Sequence, residues 1–254
     1  MLKAILFDID GVLWVRGIGK LPYTDKIFEL CKENQIKVLI TTNSVLLTPQ
    51  EWSERLGIDE ENVITPAVIL KKISEERGYS SIFSIAERSV KKMLSNIEFK
   101  EKDVDVVFAG FSKDINYEIL ANAFHEIMKG ADFLAQSMDR YHAVKEGVEP
   151  GSALIVGALK AATGKEPEVL GKPSLHFIKF VERRGIKPNE ILIVGDNWET
   201  DIAMASKLNS KSIFMEGTHK IRDKEKFNIK ADYEVKTQKE LFELLKAIIQ
   251  NSTN

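Results

Sequence analysis

Two carboxylates, Asp8 and Asp10, lie at the end of the first apolar stretch of the chain, Ala4 to Ile9. An apolar run of this length is typical of a strand buried on both faces in the middle of a parallel sheet. The two carboxylates are two positions apart, so an extended backbone would point both side chains the same way. Gly11 then permits a sharp turn. Because neighbouring carboxylates repel each other, the pair indicates a bound divalent cation or a raised pKa, although Asp-Ile-Asp-Gly alone is equally typical of a simple turn.

Three later apolar stretches also end in polar residues. The segment from Lys37 ends in Thr42 and Asn43, the segment from Val169 reaches Lys172, and the segment from Ile191 ends in Asp196, with Asp201 five residues further on. The carboxyl ends of parallel strands lie at one edge of a sheet, where open α/β sheets bind their ligands. We therefore expect the four strand ends to converge on one site.

These groups have complementary chemistry. Asp8, Asp10 and Asp196 offer oxygen ligands of the kind that Mg²⁺ prefers, and Mg²⁺ often binds together with a substrate phosphate. A hydroxyl, an amide and an ammonium, those of Thr42, Asn43 and Lys172, can hold the oxygens of a phosphoryl group. Phosphoryl transfer depends mainly on positioning and charge stabilisation, and a carboxylate is also a competent nucleophile towards phosphorus.

Each of these residues also has an ordinary structural explanation. Lys172 by itself is typical of a solvated surface lysine, and Thr42 by itself of a strand end. Asp201 begins a predicted helix, where a carboxylate favours the helix dipole. Taken together and in this order, however, the residues favour a functional site.

The elements that position these residues alternate along the chain. Strand–helix–strand–helix order near the amino terminus predicts parallel pairing with right-handed crossovers. Thr48-Pro49-Gln50-Glu51 predicts a helix start, with Thr48 as the cap and an acid three residues later. The pattern changes from Ser80, and Ser137 to Glu149 is a polar stretch for which we predict no regular element. The fold class is therefore α/β.

Composition narrows the classes of function. The chain has 254 residues, 44% of them hydrophobic, and a net charge of −2. Such a charge gives no general attraction for nucleic acid or for anionic membranes, so we expect neither as a partner. The single cysteine, Cys31, has apolar neighbours at helical spacing and is predicted to be a core residue rather than a reactive thiol. With no apolar window of membrane-spanning length and no signal peptide, we expect a cytoplasmic protein.

Four motifs in this order make the chain resemble the haloacid dehalogenase (HAD) superfamily of phosphohydrolases. They are Phe7-Asp8-Ile9-Asp10-Gly11-Val12, Ile40-Thr41-Thr42-Asn43, Gly171-Lys172-Pro173-Ser174, and Val194-Gly195-Asp196 continuing to Asp201. The insert between the second and third motifs resembles the large α/β cap of subclass IIA, which includes 4-nitrophenyl phosphatases, pyridoxal phosphate phosphatase and phosphoglycolate phosphatase. The resemblance implies a Rossmann-like parallel-sheet core, residues 1–79 and 169–254, with an inserted α/β cap domain, residues 80–168, that governs substrate specificity.

The same resemblance implies a role for each motif residue. Asp8 would be the nucleophile, and Asp10 would be the general acid and then the general base. Thr42, Asn43 and Lys172 would bind the phosphoryl group. Mg²⁺ would be held by Asp8, by the backbone carbonyl of Asp10 and by Asp196, while Asp201 would orient Lys172 or the metal's water molecules.

The natural substrate is not implied. Ser44 stands where the branch usually has a second Asn, the segment Trp14 to Gly17 differs in spacing, and Gln136 to Asp139 lacks the common Asn-x-Asp. We expect the substrate-facing part of the cap to be a short segment whose residues are Met138, Asp139, Arg140, Tyr141 and His142, with a solvated loop as an equal alternative. Caps of this branch often form dimers, so a homodimer through the cap is compatible with the sequence.

The leading hypothesis is a Mg²⁺-dependent phosphatase that acts on a small phosphorylated metabolite through an aspartyl-phosphate. A phosphotransferase on the same fold is one alternative. A non-catalytic protein that binds a phosphorylated metabolite is the other, although binding alone does not require the second carboxylate, Asp10.

Overall fold

The computed structural model describes residues 1–144, 147–216 and 228–253. Its strands, in chain order, are β1 (Ala4–Phe7), β2 (Trp14–Val15), β3 (Gly19–Lys20), β4 (Lys37–Thr41), β5 (Val63–Ile64), β6 (Ser81–Ile85), β7 (Glu98–Phe99), β8 (Val106–Ala109), β9 (Asp132–Ala135), β10 (Tyr141–Val144), β11 (Gly147–Pro150), β12 (Glu168–Val169), β13 (Ile191–Gly195), β14 (Lys211–Met215) and β15 (Tyr233–Val235). The α-helices are α1 (Thr24–Glu33), α2 (Pro49–Leu56), α3 (Pro66–Arg77), α4 (Ser89–Met93), α5 (Tyr117–Lys129), α6 (Ala153–Thr163), α7 (Leu175–Glu182), α8 (Ala203–Leu208) and α9 (Gln238–Thr253).

The main sheet is parallel and has the order β15-β14-β13-β1-β4-β5 among the described residues. Strand β1 lies in its middle, between β13 and β4, and all four of its residues are buried. The carboxyl ends of these three strands therefore lie side by side, and they lead to Asp8, to Thr42 and to Asp196.

A second parallel sheet has the order β12-β9-β8-β6-β7. Two short antiparallel strand pairs accompany the sheets: the hairpin β2–β3 directly after the first motif, and the pair β10 and β11. The polar stretch that begins at Ser137 was predicted to have no regular element, and this prediction was wrong from Tyr141 onwards. Strands β10 and β11 pair antiparallel with each other, and apolar alternation along the sequence does not signal this pairing.

Layers of helices separate and cover the sheets. Helices α1, α2 and α9 pack on one face of the main sheet, around Ile5, Phe7 and Leu192. Helices α3, α7 and α8 share a hydrophobic cluster with both sheets, and α5 and α6 cover the outer face of the second sheet. The α/β fold, with a parallel-sheet core and an inserted α/β cap, is confirmed by this architecture and by the structural likenesses given below. The division at 79/80 and 168/169 stays a prediction.

Local sequence explains several boundaries. Helix α2 begins with the predicted capping box: the Glu51 backbone N–H donates to Thr48 Oγ1, and the Thr48 N–H donates to Glu51 Oε2.

Cys31 is buried in the cluster under α1, and burial raises its pKa to about 12, as expected of a core residue rather than a reactive thiol. Among the described residues, no helix combines the length and apolar character needed to cross a membrane.

One expectation about the strand ends was wrong. Lys172 does not follow a strand of the main sheet, because β12, the strand before it, pairs with β9 at the edge of the second sheet. The strand ends that converge therefore come from two sheets: three from the main sheet and one from the second. The two-residue length of β12 gives no periodicity from which its sheet could be deduced.

Candidate active site

The first motif places two carboxylates at the centre of the main sheet. The Asp8 backbone N–H donates to the Val194 carbonyl at 2.9 Å, which continues the β1–β13 ladder by one residue. Gly11 follows with a φ of +83°, and its N–H donates to the Trp14 carbonyl at 2.9 Å. A Cβ at position 11 would overlap the Asp196 carboxylate. The turn therefore needs glycine both for its backbone conformation and for the space it leaves.

Lys172 lies across this site as a buried cation. Its Nζ donates to Asp8 Oδ1 at 2.6 Å, to Asp201 Oδ1 at 2.6 Å and to the Thr41 carbonyl at 2.7 Å. The lysine side chain is only 1% exposed. A buried ammonium with three acceptors has all of its hydrogen-bonding capacity satisfied, so its position is fixed. The alternative explanation of Lys172 as a solvated surface lysine does not hold here.

Asp196 and Asp201 come from the segment after β13, where a π-helical turn, Trp198–Ile202, precedes α8. The Asn197 N–H donates to Asp201 Oδ2 at 3.2 Å. Gly195 is required because a Cβ there would overlap the Asp201 side chain. Carboxylate oxygens of Asp8, Asp196 and Asp201 all lie within 4.8 Å of one another. This distance suits a single cation bound between them or beside them.

The electrostatics of the cluster follow from burial and like charge. Burial raises the pKa of Asp8 to about 8, although the Lys172 ammonium lowers it, and the charges of Asp201 and Asp10 raise it. Burial, and then the charges of Asp8 and Asp201, raise the pKa of Asp196. Burial also raises the pKa of Asp10, against the lowering effects of Arg16 and Lys172. The cluster thus favours any added positive charge.

The second motif joins the two halves of the site. The Lys172 N–H donates to Asn43 Oδ1 at 2.6 Å, and Asn43 Nδ2 donates to the Lys172 carbonyl at 3.2 Å and to Asp139 Oδ2 at 3.1 Å. Thr42 Oγ1 accepts from the Ser44 N–H at 3.0 Å. Asn43 therefore contacts the third motif and the predicted substrate-facing segment at the same time.

The segment after β9 is held against the second motif by Gln136. Its Nε2 donates to the Asn43 carbonyl at 2.8 Å, and its Oε1 accepts from the Phe111 N–H at 2.9 Å. Ser137 Oγ lies 2.9 Å from Asp139 Oδ2 and 2.6 Å from Ser152 Oγ. Burial raises the pKa of Asp139, although its hydrogen bonds to Ser137 and Asn43 lower it. Asp139 is thus a half-buried, hydrogen-bonded part of the site rather than part of a solvated loop.

The remaining residues of the predicted substrate-facing segment divide into two groups. Tyr141 and His142 line the cavity, and the His142 ring packs edge-on against Phe111 with 4.6 Å between ring centroids. Met138 and Arg140 are not among the lining residues. Met138 is partly exposed, and Arg140 forms an ion pair with Glu199 of the π-helical turn.

These residues surround one cavity of about 130 Å³. The predicted site residues that line it are Asp8, Asp10, Thr42, Asn43, Asp139, Tyr141, His142, Lys172, Asp196 and Asp201. Lining residues that sequence reasoning did not assign are Arg16, Ser44, Phe111, Gln136, Gly151, Ser152, Asn197 and Thr200. Arg16 and Gln136 lay in segments that were noted only for departing from a family pattern, and that departure was the available signal.

The arrangement can therefore hold a cation and a phosphoryl group side by side. Oxygen ligands cluster around Asp196, while hydroxyl, amide and ammonium donors lie around Asp8. An aromatic and polar wall, formed by Phe111, Tyr141 and His142, faces the remaining space. What each residue does in a reaction stays a prediction.

Comparison with known families gives two matches within the chain. Residues 5–100 match the family model described as haloacid dehalogenase-like hydrolase, and residues 169–241 match the model described as HAD-hydrolase-like. The first match contains the Asp8 and Thr42 motifs, and the second contains the Lys172 and Asp196 motifs. Residues 101–168 lie between the two matches and contain β8 and β9 of the second sheet.

Individual proteins resemble the chain over most of its length. An acid sugar phosphatase of Staphylococcus aureus is 26% identical over 245 residues, which is 92% of this chain and 94% of the relative. The solved structure of a hypothetical protein from Pyrococcus horikoshii is 29% identical with a TM-score of 0.84, and covers 97% of this chain and 100% of its own. A 4-nitrophenylphosphatase from Thermotoga maritima is 26% identical with a TM-score of 0.85, and the coverage is 95% and 97%.

Proposed function

We propose a detailed function on the premise that the chain belongs to the haloacid dehalogenase superfamily, in subclass IIA. The chain is a phosphatase of this superfamily. Our proposal is that it hydrolyses a small phosphomonoester with Mg²⁺ as cofactor and with Asp8 as nucleophile. The observation that carries the proposal is the Asp8 carboxylate, held by Lys172 at 2.6 Å within a cluster of carboxylates.

The residues present fit a divalent cation. Three carboxylates, those of Asp8, Asp196 and Asp201, face the single ammonium of Lys172, so the cluster carries an excess of negative charge. The described residues supply no hydrogen bond or ion pair to the Asp196 carboxylate, which nevertheless lines the cavity. A hard cation with oxygen ligands matches this donor set, and Asp8, Asp196 and the backbone carbonyl of Asp10 would hold it. When bound, Mg²⁺ would offset the charge of the cluster and of the transferring phosphoryl group.

In the first step, Asp8 attacks the phosphorus atom. Lys172 occupies Asp8 Oδ1, which leaves Oδ2 to form the new bond to phosphorus while the bond to the leaving oxygen breaks. Asp10, whose pKa is raised by burial, gives its proton to that oxygen. The products of the step are an alcohol and an aspartyl-phosphate on Asp8.

In the second step, Asp10 takes a proton from water as the water oxygen attacks the same phosphorus atom. The bond between phosphorus and Asp8 breaks, so inorganic phosphate leaves and both aspartates return to their starting states. Thr42 and Asn43 line the cavity beside Asp8: the Thr42 hydroxyl holds the phosphoryl oxygens through both steps, and Asn43 assists by positioning Lys172 and Asp139 with its side-chain amide. The Lys172 ammonium stabilises the charge that develops on them.

Segments that follow β8 and β9 contribute the wall that contacts the leaving group. Phe111, Asp139, Tyr141 and His142 line the same cavity as Asp8 and Asp10. Closing a phosphoryl site with such a wall excludes water from the first step and selects the leaving group. We propose a small phosphorylated metabolite as the substrate because the cavity measures only about 130 Å³.

The test is phosphate release from a panel of phosphorylated metabolites and 4-nitrophenyl phosphate, each assayed with Mg²⁺ and with EDTA. We expect release that depends on Mg²⁺ and is lost in Asp8→Asn. A matched control is Asp25→Asn, an exposed carboxylate paired with Lys20, which should keep wild-type activity. Acid-quenched wild-type enzyme should carry a phosphoryl group that hydroxylamine removes, and Asp8→Asn should carry none.

Two results would contradict the proposal. Activity of Asp8→Asn near the wild-type level would exclude Asp8 as nucleophile. Equal phosphate release with Mg²⁺ and with EDTA would exclude the metal.

A further inference from the structure

Arg16 is a cation of the cavity wall that the reaction described above does not use. It follows β2 in the short β2–β3 hairpin and is half-buried. Within the described parts of the chain, the Arg16 guanidinium forms neither a hydrogen bond nor an ion pair with another residue. A guanidinium that lines a cavity without a partner is available to a ligand.

The hairpin that carries Arg16 is firmly attached to the core. The Leu21 N–H donates to the Leu13 carbonyl at 2.9 Å, and Trp14 packs edge-on against Trp52 with 5.9 Å between ring centroids. Trp14 also lies under the Arg55 guanidinium, at 5.5 Å. Arg16 therefore stands at a fixed place in the cavity wall, two residues beyond a packed tryptophan.

Among the described residues Arg16 has no partner at ion-pair distance, although its charge lowers the pKa of Asp10 and of Glu149. Glu149 is the nearby carboxylate outside the catalytic cluster, and Lys113 already pairs with it at 2.7 Å. His142 Nε2 lies 3.4 Å from Glu149 Oε2 and is buried without a hydrogen-bond partner. On this side of the cavity, the Arg16 and His142 side chains thus line the same space.

We propose that Arg16 binds a second anionic group, a carboxylate or a phosphate, on the leaving-group side of the substrate. This inference rests on the proposed phosphatase function, because it places the phosphoryl group at Asp8. A guanidinium binds both kinds of anion through paired hydrogen bonds of matching geometry. A neutral leaving group, such as an unmodified polyol, would fill the cavity but leave the Arg16 guanidinium without a hydrogen-bond partner.

The first test compares substrates that differ in one group. 3-Phosphoglycerate and glycerol 3-phosphate differ by a carboxylate, and the bisphosphate and monophosphate of propane-1,3-diol differ by a second phosphate. We expect wild-type enzyme to have a higher kcat/KM for at least one anionic member. In Arg16→Gln, the kcat/KM of the anionic member divided by that of its neutral partner should fall about 10- to 100-fold, mainly because KM for the anionic member rises. A loss of this size corresponds to one charge-assisted hydrogen bond.

Two control variants separate charge from structure. Lys20→Gln removes a cation from the same hairpin, outside the cavity lining, and should keep the wild-type ratio. Arg16→Lys keeps the positive charge but lacks the planar guanidinium group, so it should restore part of the kcat/KM ratio that Arg16→Gln loses. The carboxylate pair and the bisphosphate pair tell which anion Arg16 prefers.

The second test needs no turnover. With Mg²⁺ present, phosphonoacetate should raise the Tm of Asp8→Asn more than ethylphosphonate does, and the difference should disappear in the Asp8→Asn, Arg16→Gln double variant. If wild-type enzyme hydrolyses 4-nitrophenyl phosphate but Arg16→Gln changes neither the ratio nor the Tm difference, the inference is wrong and the proposed function stands. If no substrate is hydrolysed, the proposed function fails, and the Tm difference alone decides for or against the Arg16 site.

Discussion

Lys172→Met removes one buried charge and little volume. The Lys172 Nζ is bonded to Asp8, Asp201 and the Thr41 carbonyl at 2.6, 2.6 and 2.7 Å, and the side chain is 1% exposed. Methionine has nearly the same length, so the cost comes from the acceptors that lose their partner. Removing one member of a buried ion pair costs about 3–5 kcal/mol. For a chain of this size, that corresponds to a Tm lower by about 6–20 °C.

The stability deficit of Lys172→Met should also depend on pH. Lys172 lowers the pKa values of Asp8, Asp10, Asp139 and Asp196, so its removal raises all four in the folded state. Apart from the Lys172 proton, which wild type keeps in both the folded and the unfolded state, the folded variant then binds more protons near neutral pH than folded wild type does, while the two unfolded chains bind equal numbers. Since stability falls with pH wherever the folded state holds the extra protons, the deficit of the variant should be larger at pH 8 than at pH 5.

The assay is differential scanning calorimetry in EDTA at pH 5 and pH 8. Lys72→Met is the matched control, because Lys72 forms an exposed ion pair with Glu76 at 3.1 Å. Such a surface pair contributes about 0.5 kcal/mol or less, so the control should melt within about 2 °C of wild type. A Lys172→Met variant that melts as close to wild type as this control, or whose deficit is larger at pH 5, would refute the reasoning.

Two further substitutions test the carboxylate cluster. Gly11→Ala should lose at least about tenfold in activity, because the new Cβ would displace the Asp196 carboxylate. Gly78→Ala is the control, since Gly78 also has a positive φ but has open space around it. Each substitution should lower the free energy of unfolding by about 1–2 kcal/mol through backbone strain, but Gly78→Ala should keep its activity. Asp196→Asn should melt higher than wild type in EDTA, because it removes one of several like charges that are buried together, and it should lose the Tm increase caused by Mg²⁺. Phosphate-release assays test Gly11→Ala, and full activity in that variant would contradict the first prediction. Calorimetry tests Asp196→Asn, and an undiminished Tm increase with Mg²⁺ would contradict the second.

The sequence by itself determined the local parts of this protein that depend on nearby residues. The capping box at Thr48 and Glu51 forms as predicted because its partners are three positions apart. The buried strand before Asp8 forms as predicted because an apolar run of that kind has one stable environment, the middle of a sheet. Residue type also indicated which side chains have chemistry suited to a phosphate site, since hydroxyl, amide, ammonium and carboxylate groups follow successive strands.

Only the tertiary structure decided which of these groups meet and from which side. Lys172 reaches Asp8 from the second sheet, across 164 positions of sequence, and nothing local in a two-residue strand predicts that pairing. Gln136 and Arg16 lie in segments with no apolar period, so only the packing of the second sheet and the hairpin brings them to the cavity. The residues that select a particular substrate are therefore positioned by long-range contacts. The free energy that holds them in place comes from strand pairing and burial elsewhere in the fold.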